Sequence, residues 1–297
     1  MNYMYFDIEC CDGNHICSFG YVVVNDKFKV LEKKDILINP EMPFKLGRAN
    51  FDPYISLAYE EEEFRRNPNF KARYDLIKKL LTKPNQIILG HSAASDLNFL
   101  DIAYKRYWKK RVEIDVYDTQ KIYADNFAPG KCPSLENILK DLNIDMGELV
   151  AHKSCDDAEL TMLAVKEMCL RKNISVAELL RRNSACVVSY RLLEDNQKRS
   201  IIKKRIKSLN KIYNDKIGAD KIYFSASIGL NNVDHRIKLI EKIYRNGYAV
   251  TLDIADSTYI VCNNNIARRE NNLLAAANKE KPQLISYNQL MRMLTRK

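Results

Sequence analysis

"YFDIECC", Tyr5 to Cys11, sets two carboxylates, Asp7 and Glu9, inside an apolar run that otherwise reads as a buried strand. Side chains of successive strand residues point to opposite faces, so Asp7 and Glu9 share one face while Phe6, Ile8 and Cys10 share the other. Two carboxylates on one partly desolvated face repel each other. Each would carry a raised pKa unless something positive lies between them. A basic side chain or a metal ion would meet that need.

Around this stretch the first part of the chain reads as an α/β fold. Three strand-like runs come first, Tyr3–Cys10, Ile16–Val24 and Phe28–Ile38, with a tight turn at Asn25–Lys27. "AYEEEEFRRNPNFKARYDLIKKLLTKP" then has the rhythm of a helix running into Lys83-Pro84, with Tyr74, Ile77 and Leu81 at helical spacing. "QIILG" is a short buried strand, and "SDLNFLDIAYKRYW" an amphipathic helix with Ser95 available as its N-cap. "VEIDVYDT" gives a further strand, "SLENILKDL" a helix capped at Ser134, and "CDDAELTMLAVKEM" a last helix. A hairpin sheet followed by strand–helix alternation implies a mixed sheet flanked by helices.

The 297 residues, 46% of them hydrophobic, are enough for a real core and for two domains. No run of eighteen apolar residues occurs and the N-terminus lacks a signal-peptide pattern, so the expectation is a soluble cytoplasmic protein with no membrane partner. Eight cysteines without a CxxC pair fit free thiols in a reducing compartment. The net charge of +10 is unevenly spread. Residues 1–170 hold 23 Lys+Arg against 27 Asp+Glu, residues 171–216 hold 13 against 4, and residues 217–297 hold 12 against 7. A basic segment joined to an acidic domain points to a polyanionic partner, with nucleic acid first.

Three more groups join Asp7 and Glu9. Asp96 opens a helix directly after the strand "QIILG", where α/β sheets present functional groups. Asp157 lies one turn before Leu160 on a face continued by Leu163, Ala164 and Met168, and His152 precedes it by five residues in the leading loop. Four carboxylates and a histidine can therefore converge at one edge of the sheet. "FDIE", "GHSAASDLNFL" and "HKSCDDAEL" resemble the three motifs of the DEDDh exonuclease superfamily, in order, over about residues 1–170. The resemblance implies an RNase H-like fold and two divalent cations, Mg²⁺ or Mn²⁺, held by Asp7, Glu9, Asp96 and Asp157, with His152 as general base. "YDTQKIY" and "SLENILKDLNI" match secondary features, a strand end and the helix before the histidine loop. Cys10 stands where the family usually has Thr, Ser92 where it often has Asn, and Ser95 where a larger apolar residue is common. Cys10 and Ser92 are candidates for contact with the terminal nucleotide.

Residues 173–218 read as a basic helical connector. Ser175 and Glu178 fit a capping box. Further on, Ile202, Ile206, Leu209 and Tyr213 form one stripe, largely away from Lys203, Lys204, Arg205 and Lys207. With Lys198 and Arg199, those four cations are candidates for nucleic-acid binding. From residue 219 the series strand, helix, two strands, helix, strand, helix resembles a BRCT domain, with Ser225 at the family's phosphate-gripping position and Asn246-Gly247 closing the first helix. Ala226 replaces the family's usual Gly, Asn272 lies near where its partner Lys is expected, and the last helix has no Trp.

The expected division is therefore an exonuclease domain at 1–172, a connector at 173–218 and a small BRCT-like domain at 219–297. The expected activity is 3′–5′ hydrolysis of nucleic acid, DNA ahead of RNA, to 5′-mononucleotides in replication or repair, with a protein partner possible through the BRCT-like domain. The alternatives are an RNase trimming 3′ ends and a catalytically silent module that recruits nucleic acid or protein.

Overall fold

Asn25 makes the turn after the second strand: its Oδ1 accepts from the backbone N–H of Lys27 and of Lys29, both at 3.0 Å. The turn joins β2 (Ile16–Val24) to β3 (Val30–Leu37), and β1 (Asn2–Cys10) pairs antiparallel with β2 on its other side. The strand expected to start at Phe28 starts at Val30, because Phe28 sits in the turn at φ 59°. A computed structural model describes residues 1–45, 56–213, 220–229, 232–263, 265–266, 268–277 and 281–295.

The helix expected across residues 58–84 is two helices, α1 (Glu61–Arg65) and α2 (Phe70–Leu81). Pro68 lacks an N–H and disfavours helical backbone at the residue before it, so the chain breaks there. Asn69 restarts it, its side chain accepting from Ala72 N at 3.1 Å. β4 (Gln86–Gly90) follows, then α3 (Ala93–Arg106) and β5 (Asp115–Asp118). Ser95 is not the cap of α3. The turn falls at Ser92, in the left-handed region at φ 55°, whose N–H donates to Asp118 Oδ1 at 3.1 Å. β5 ends at Asp118 within "YDTQKIY", and "TQKIY" opens α4 (Thr119–Phe127), with the Asp118 carboxylate accepting from Gln120 N at its start.

α5 (Leu135–Leu142) has its expected cap, Ser134 Oγ accepting from Asn137 N at 3.4 Å. Then come α6 (Ser154–Lys172), α7 (Val176–Arg182) and β6 (Val187–Ser189). The sheet order is β3-β2-β1-β4-β5-β6, with β4 parallel to β1, β5 parallel to β4 and β6 antiparallel to β5. A mixed sheet flanked by helices is what the sequence implied. On the face shared by Asp7 and Glu9, Tyr3, Tyr5, Val22 and Val24 are buried against Leu160, Ala164, Val165 and Met168 of α6. Each large apolar side chain removed from water there contributes roughly 1.5–3 kcal/mol.

Gly20 sets how close α6 can come. It pairs with Asp7 across the β1–β2 ladder, and a Cβ built on it would collide with the backbone of Ser154 and Cys155 at the start of α6. Gly20→Ala should therefore push the helix off the sheet. The expected cost is on the order of 1–3 kcal/mol, read as a fall of the melting temperature by about 2–4 °C per kcal/mol. An unchanged melt would show that α6 does not need that approach.

The chain divides into two compact units, residues 1–190 and 191–297. The connector expected at 173–218 is shared between them. α7 and β6 fold with the first unit, where Leu179, Leu180 and Cys186 join the core. Of the capping box expected on α7, Ser175 Oγ accepts from Glu178 N at 3.2 Å, while the Glu178 carboxylate pairs with Arg181 and Arg182. In the second unit, α8 (Tyr190–Tyr213) lays Ile202, Ile206 and Leu209 on the core of Ile222, Leu239, Ile243 and Ile285. That unit continues with β7 (Lys221–Phe224), α9 (Val233–Arg245), β8 (Ala249–Val250), β9 (Tyr259–Val261), α10 (Arg268–Ala276), β10 (Gln283–Ile285) and α11 (Tyr287–Met293). Its strands form a parallel sheet of order β10-β9-β7-β8. Gly247 follows α9 at φ 81°, as its expected C-cap role requires. Residues 214–219, where the connector was expected to end, lie outside the described residues.

Candidate active site

Asp7 stands near the end of β1, on the face covered by α6, and its carboxyl is held well above the ordinary carboxylate range. Burial is the main cause, and the charges of Asp96, Glu9 and Asp157 add to it. Asp96, in the first turn of α3, is buried and likewise raised, by desolvation first and then by Glu9 and Asp118, against a backbone N–H from Ile8. Its Oδ2 is buried without a hydrogen-bond partner. Gly90, the last residue of β4, lies beside this carboxylate: a Cβ there would be in ordinary contact with Oδ2 at 3.5 Å.

The loop before α6 brings the remaining groups. His152 is in the left-handed region at φ 61°, which aims its N–H at Asp157 Oδ2, 2.9 Å away, and lets Nδ1 lie 3.3 Å from Glu9 Oε1. The hydrogen bond to Glu9 raises the imidazole pKa, against partial burial. Asp157 is pushed up to about 7 by burial and by Glu9, with the His152 N–H opposing. Ligand atoms of Glu9, His152 and Asp157 all lie within 4.8 Å of one another.

Residues that the sequence reading passed over hold α6 in place. Ser154 Oγ donates to Asp35 Oδ1 at 2.6 Å and lies 2.8 Å from Ser18 Oγ. Asp156 is buried, yet its pKa is lowered, because Lys33 at 2.6 Å and the Val150 N–H outweigh the desolvation. Asp156 is thus ion-paired to β3, while its neighbour Asp157 is left to the site. The mark of this arrangement is the alternation of small or polar residues, Ser18 and Gly20, with aromatics in β2; glycine inside a strand signals close backbone approach.

The donor set suits a hard divalent cation: carboxylate oxygens and an imidazole, mutually repelling and desolvated, with one carboxylate oxygen unpartnered. Of the two candidates for nucleotide contact, Cys10 is buried on the opposite face and its thiol is pushed well up by burial. Ser92 is half-buried, its Oγ 3.5 Å from Ser95 Oγ.

Residues 41–168 match the family model described as "DNA polymerase III subunit epsilon-like, C-terminal domain". The N-terminal unit resembles a DEDDh-type exonuclease domain. The matched segment contains Asp96, His152 and Asp157, and lies C-terminal to the strand bearing Asp7 and Glu9. A search of curated proteins gave no match. Similar solved structures include "3'-end specific recognition of histone mRNA stem-loop by 3'-exonuclease" at 17% identity and TM-score 0.48, over 58% of this chain and 82% of that one. Another is the "nuclease domain of 3'hExo, a DEDDh family member, bound to rAMP", at 18% and 0.47, over 58% and 91%. A third is "Exonuclease X in complex with 5' overhanging duplex DNA", at 16% and 0.44, over 60% and 96%.

In the second unit, the six candidate cations of α8 fall into different settings. Lys198, Arg199 and Lys203 line one cavity. Arg205 is tied to α9, its Nε donating to Glu241 Oε1 at 3.0 Å. Lys204 and Lys207 are exposed elsewhere on the helix. Ser225 is buried, and its hydroxyl donates to Glu270 Oε2 at 2.7 Å. The same carboxylate accepts from Ala226 N at 2.8 Å, so an internal carboxylate already fills the place expected for a phosphate. Among the described residues, no helix is long and apolar enough to cross a membrane.

Proposed function

We propose that this chain is a 3′–5′ exonuclease that hydrolyses the terminal phosphodiester of nucleic acid, DNA ahead of RNA, and releases 5′-mononucleotides in replication or repair. The observation that carries the reading is the meeting of Glu9, His152 and Asp157 within 4.8 Å beside the half-buried carboxylate of Asp7 and the buried one of Asp96. Asp7, Glu9, Asp96 and Asp157 would hold two ions, Mg²⁺ or Mn²⁺ by the hardness of their oxygens. When bound, the ions offset the negative charge that builds on the phosphodiester oxygens. His152 takes a proton from the attacking water: with Nδ1 facing Glu9, Nε2 is the ring nitrogen left to accept it. Asp157 fixes that loop by accepting the His152 N–H. No side-chain nucleophile is needed.

For the C-terminal unit, the βαββαβα series and the parallel order β10-β9-β7-β8 support a BRCT-like reading. The Ser225 hydroxyl and the Ala226 N–H both donate to Glu270, so these two groups are not free to grip a phosphopeptide.

Matched DNA and RNA oligomers labelled at the 3′ or the 5′ end, incubated with Mg²⁺, Mn²⁺ or EDTA, test the activity. Immediate release of a 3′-labelled mononucleotide and a shortening 5′-labelled ladder are expected, both abolished by EDTA. Internal cuts would make it an endonuclease, and cleavage in EDTA would remove the metal from the reading.

A further inference from the structure

The second unit has a cavity that the nuclease chemistry does not use. It measures about 590 Å³ and opens where the carboxyl ends of the parallel strands β7 and β8 meet α8 and α9. Open α/β sheets bind their ligands at such carboxyl ends. The floor is apolar, with Ile202, Ile206 and Val250, and the walls are cationic. α8 contributes Arg191, Lys198, Arg199 and Lys203, and α9 contributes Arg236. Among the described residues, the one acidic residue of the lining is Asp195, 3.5 Å from Lys198.

Arg236 is the most telling of these. It is nine-tenths buried, with its guanidinium over the Phe224 ring at 4.4 Å to the centroid and one nitrogen donating to Gly229 O at 3.1 Å. Among the described residues no carboxylate pairs with it, nor with Arg191, Arg199 or Lys203. A buried cation without a counter-charge is costly, and an anion entering the cavity would supply one. From Arg191 to Lys203 the helix rises about 18 Å at ~1.5 Å per residue. That length exceeds the reach of a single phosphate group and can follow several consecutive phosphates of a strand.

We propose that this cavity is a second nucleic-acid site, which takes a single-stranded segment with its phosphates along Arg191, Lys198, Arg199 and Lys203 and one phosphate at Arg236. Bases or sugars lie on the apolar floor. The site deepens the nuclease reading, on which it rests for its substrate, by giving the chain a grip outside the acidic first part. It also sorts the cations of α8, since Lys204, Arg205 and Lys207 stand outside it.

The test uses the full-length chain and a small circular single-stranded DNA, which has no 3′ end for the exonuclease site to hold. Fluorescence anisotropy from low to physiological salt compares the unaltered chain with Arg199→Gln/Lys203→Gln, with the same pair plus Arg236→Gln, and with Lys204→Gln/Lys207→Gln. The pair is exposed and leaves the core untouched; Arg236→Lys shows whether charge at that buried position suffices. The triple change should weaken binding at least tenfold and lower the log–log salt slope by about 0.7 for each phosphate no longer neutralised. Lys204→Gln/Lys207→Gln should weaken it far less. Equal losses in the two sets would reduce the effect to a general charge field and overturn the site. Tighter binding of an acidic phosphopeptide than of the circle would assign the cavity to a protein instead. Cleavage of a linear strand is scored separately: intact circle binding without cleavage would sink the nuclease reading alone.

Discussion

Asp7→Asn is expected to lower turnover by more than the ~10–100-fold that loss of a supporting residue costs at a metal site, while raising the melting temperature of the metal-free chain. Both effects have one origin. Burial and the charges of Asp96, Glu9 and Asp157 hold the Asp7 carboxyl well above its ordinary range, and Asp157 is pushed up to about 7. These groups keep protons in the folded chain that the unfolded chain has already released, so stability falls as pH rises from about 4 through about 7. For Asp157 the loss is on the order of a few kcal/mol. Asn at position 7 removes one of the repelling charges without changing shape. In EDTA the variant should therefore melt several degrees above the unaltered chain at pH 8 and close to it at pH 5. Calorimetry at the two pH values reads the stability, and release of label from a 3′-labelled oligomer reads the turnover. Unreduced turnover would end the claim that these carboxylates hold the catalytic ions. A melt that rises with pH would end the claim that they strain the fold.

His152→Ala should cost about 10²–10⁴-fold in rate, the usual worth of a positioned general base, with metal-dependent DNA binding retained. The imidazole must be unprotonated to accept a proton, and its hydrogen bond to Glu9 raises its pKa above the ordinary histidine value. In the unaltered chain the rate should accordingly climb with pH through a limb displaced upward, and the Ala variant should lose that limb. If the limb survives in His152→Ala, another group takes the proton and His152 serves only to anchor the loop through its N–H to Asp157. His152→Asn separates the two roles further, because it keeps the backbone and a polar side chain but cannot act as a base.

Much of this site was legible because strand and helix periods are strict. The alternation in "YFDIECC" placed Asp7 and Glu9 on one face, and the spacing from Asp157 to Leu160, Ala164 and Met168 turned the helix toward the sheet, where those three apolar residues are indeed buried. What packs against the site was harder to see. Gly20 lies in a strand that reads as ordinary core, and its meaning depends on a helix more than 130 residues later coming into backbone contact with it. Ser18, Lys33 and Asp35 likewise gain their roles from partners distant in sequence. Pro68 is a visible helix breaker, but the long charged run before it has a helical rhythm that masks the break. The connector was drawn from charge, and charge is silent about packing. A basic composition spans residues that belong to two different cores, divided near Tyr190.

Val187–Ser189 closes the open side of β5, and Tyr190 directly after it is buried beneath the Arg111 guanidinium, 4.7 Å from the ring centroid. The first unit therefore does not end where its last motif ends. A chain cut after Lys172 would lose Leu179, Leu180, Cys186 and Val188 from its interior and leave the N–H and C=O groups of Asp115–Asp118 facing solvent, a ready template for pairing with another molecule. A shorter form of this protein that stays monomeric is expected to keep its first 190 residues, so a three-residue strand with no chemistry of its own decides where the first unit can be separated from the second.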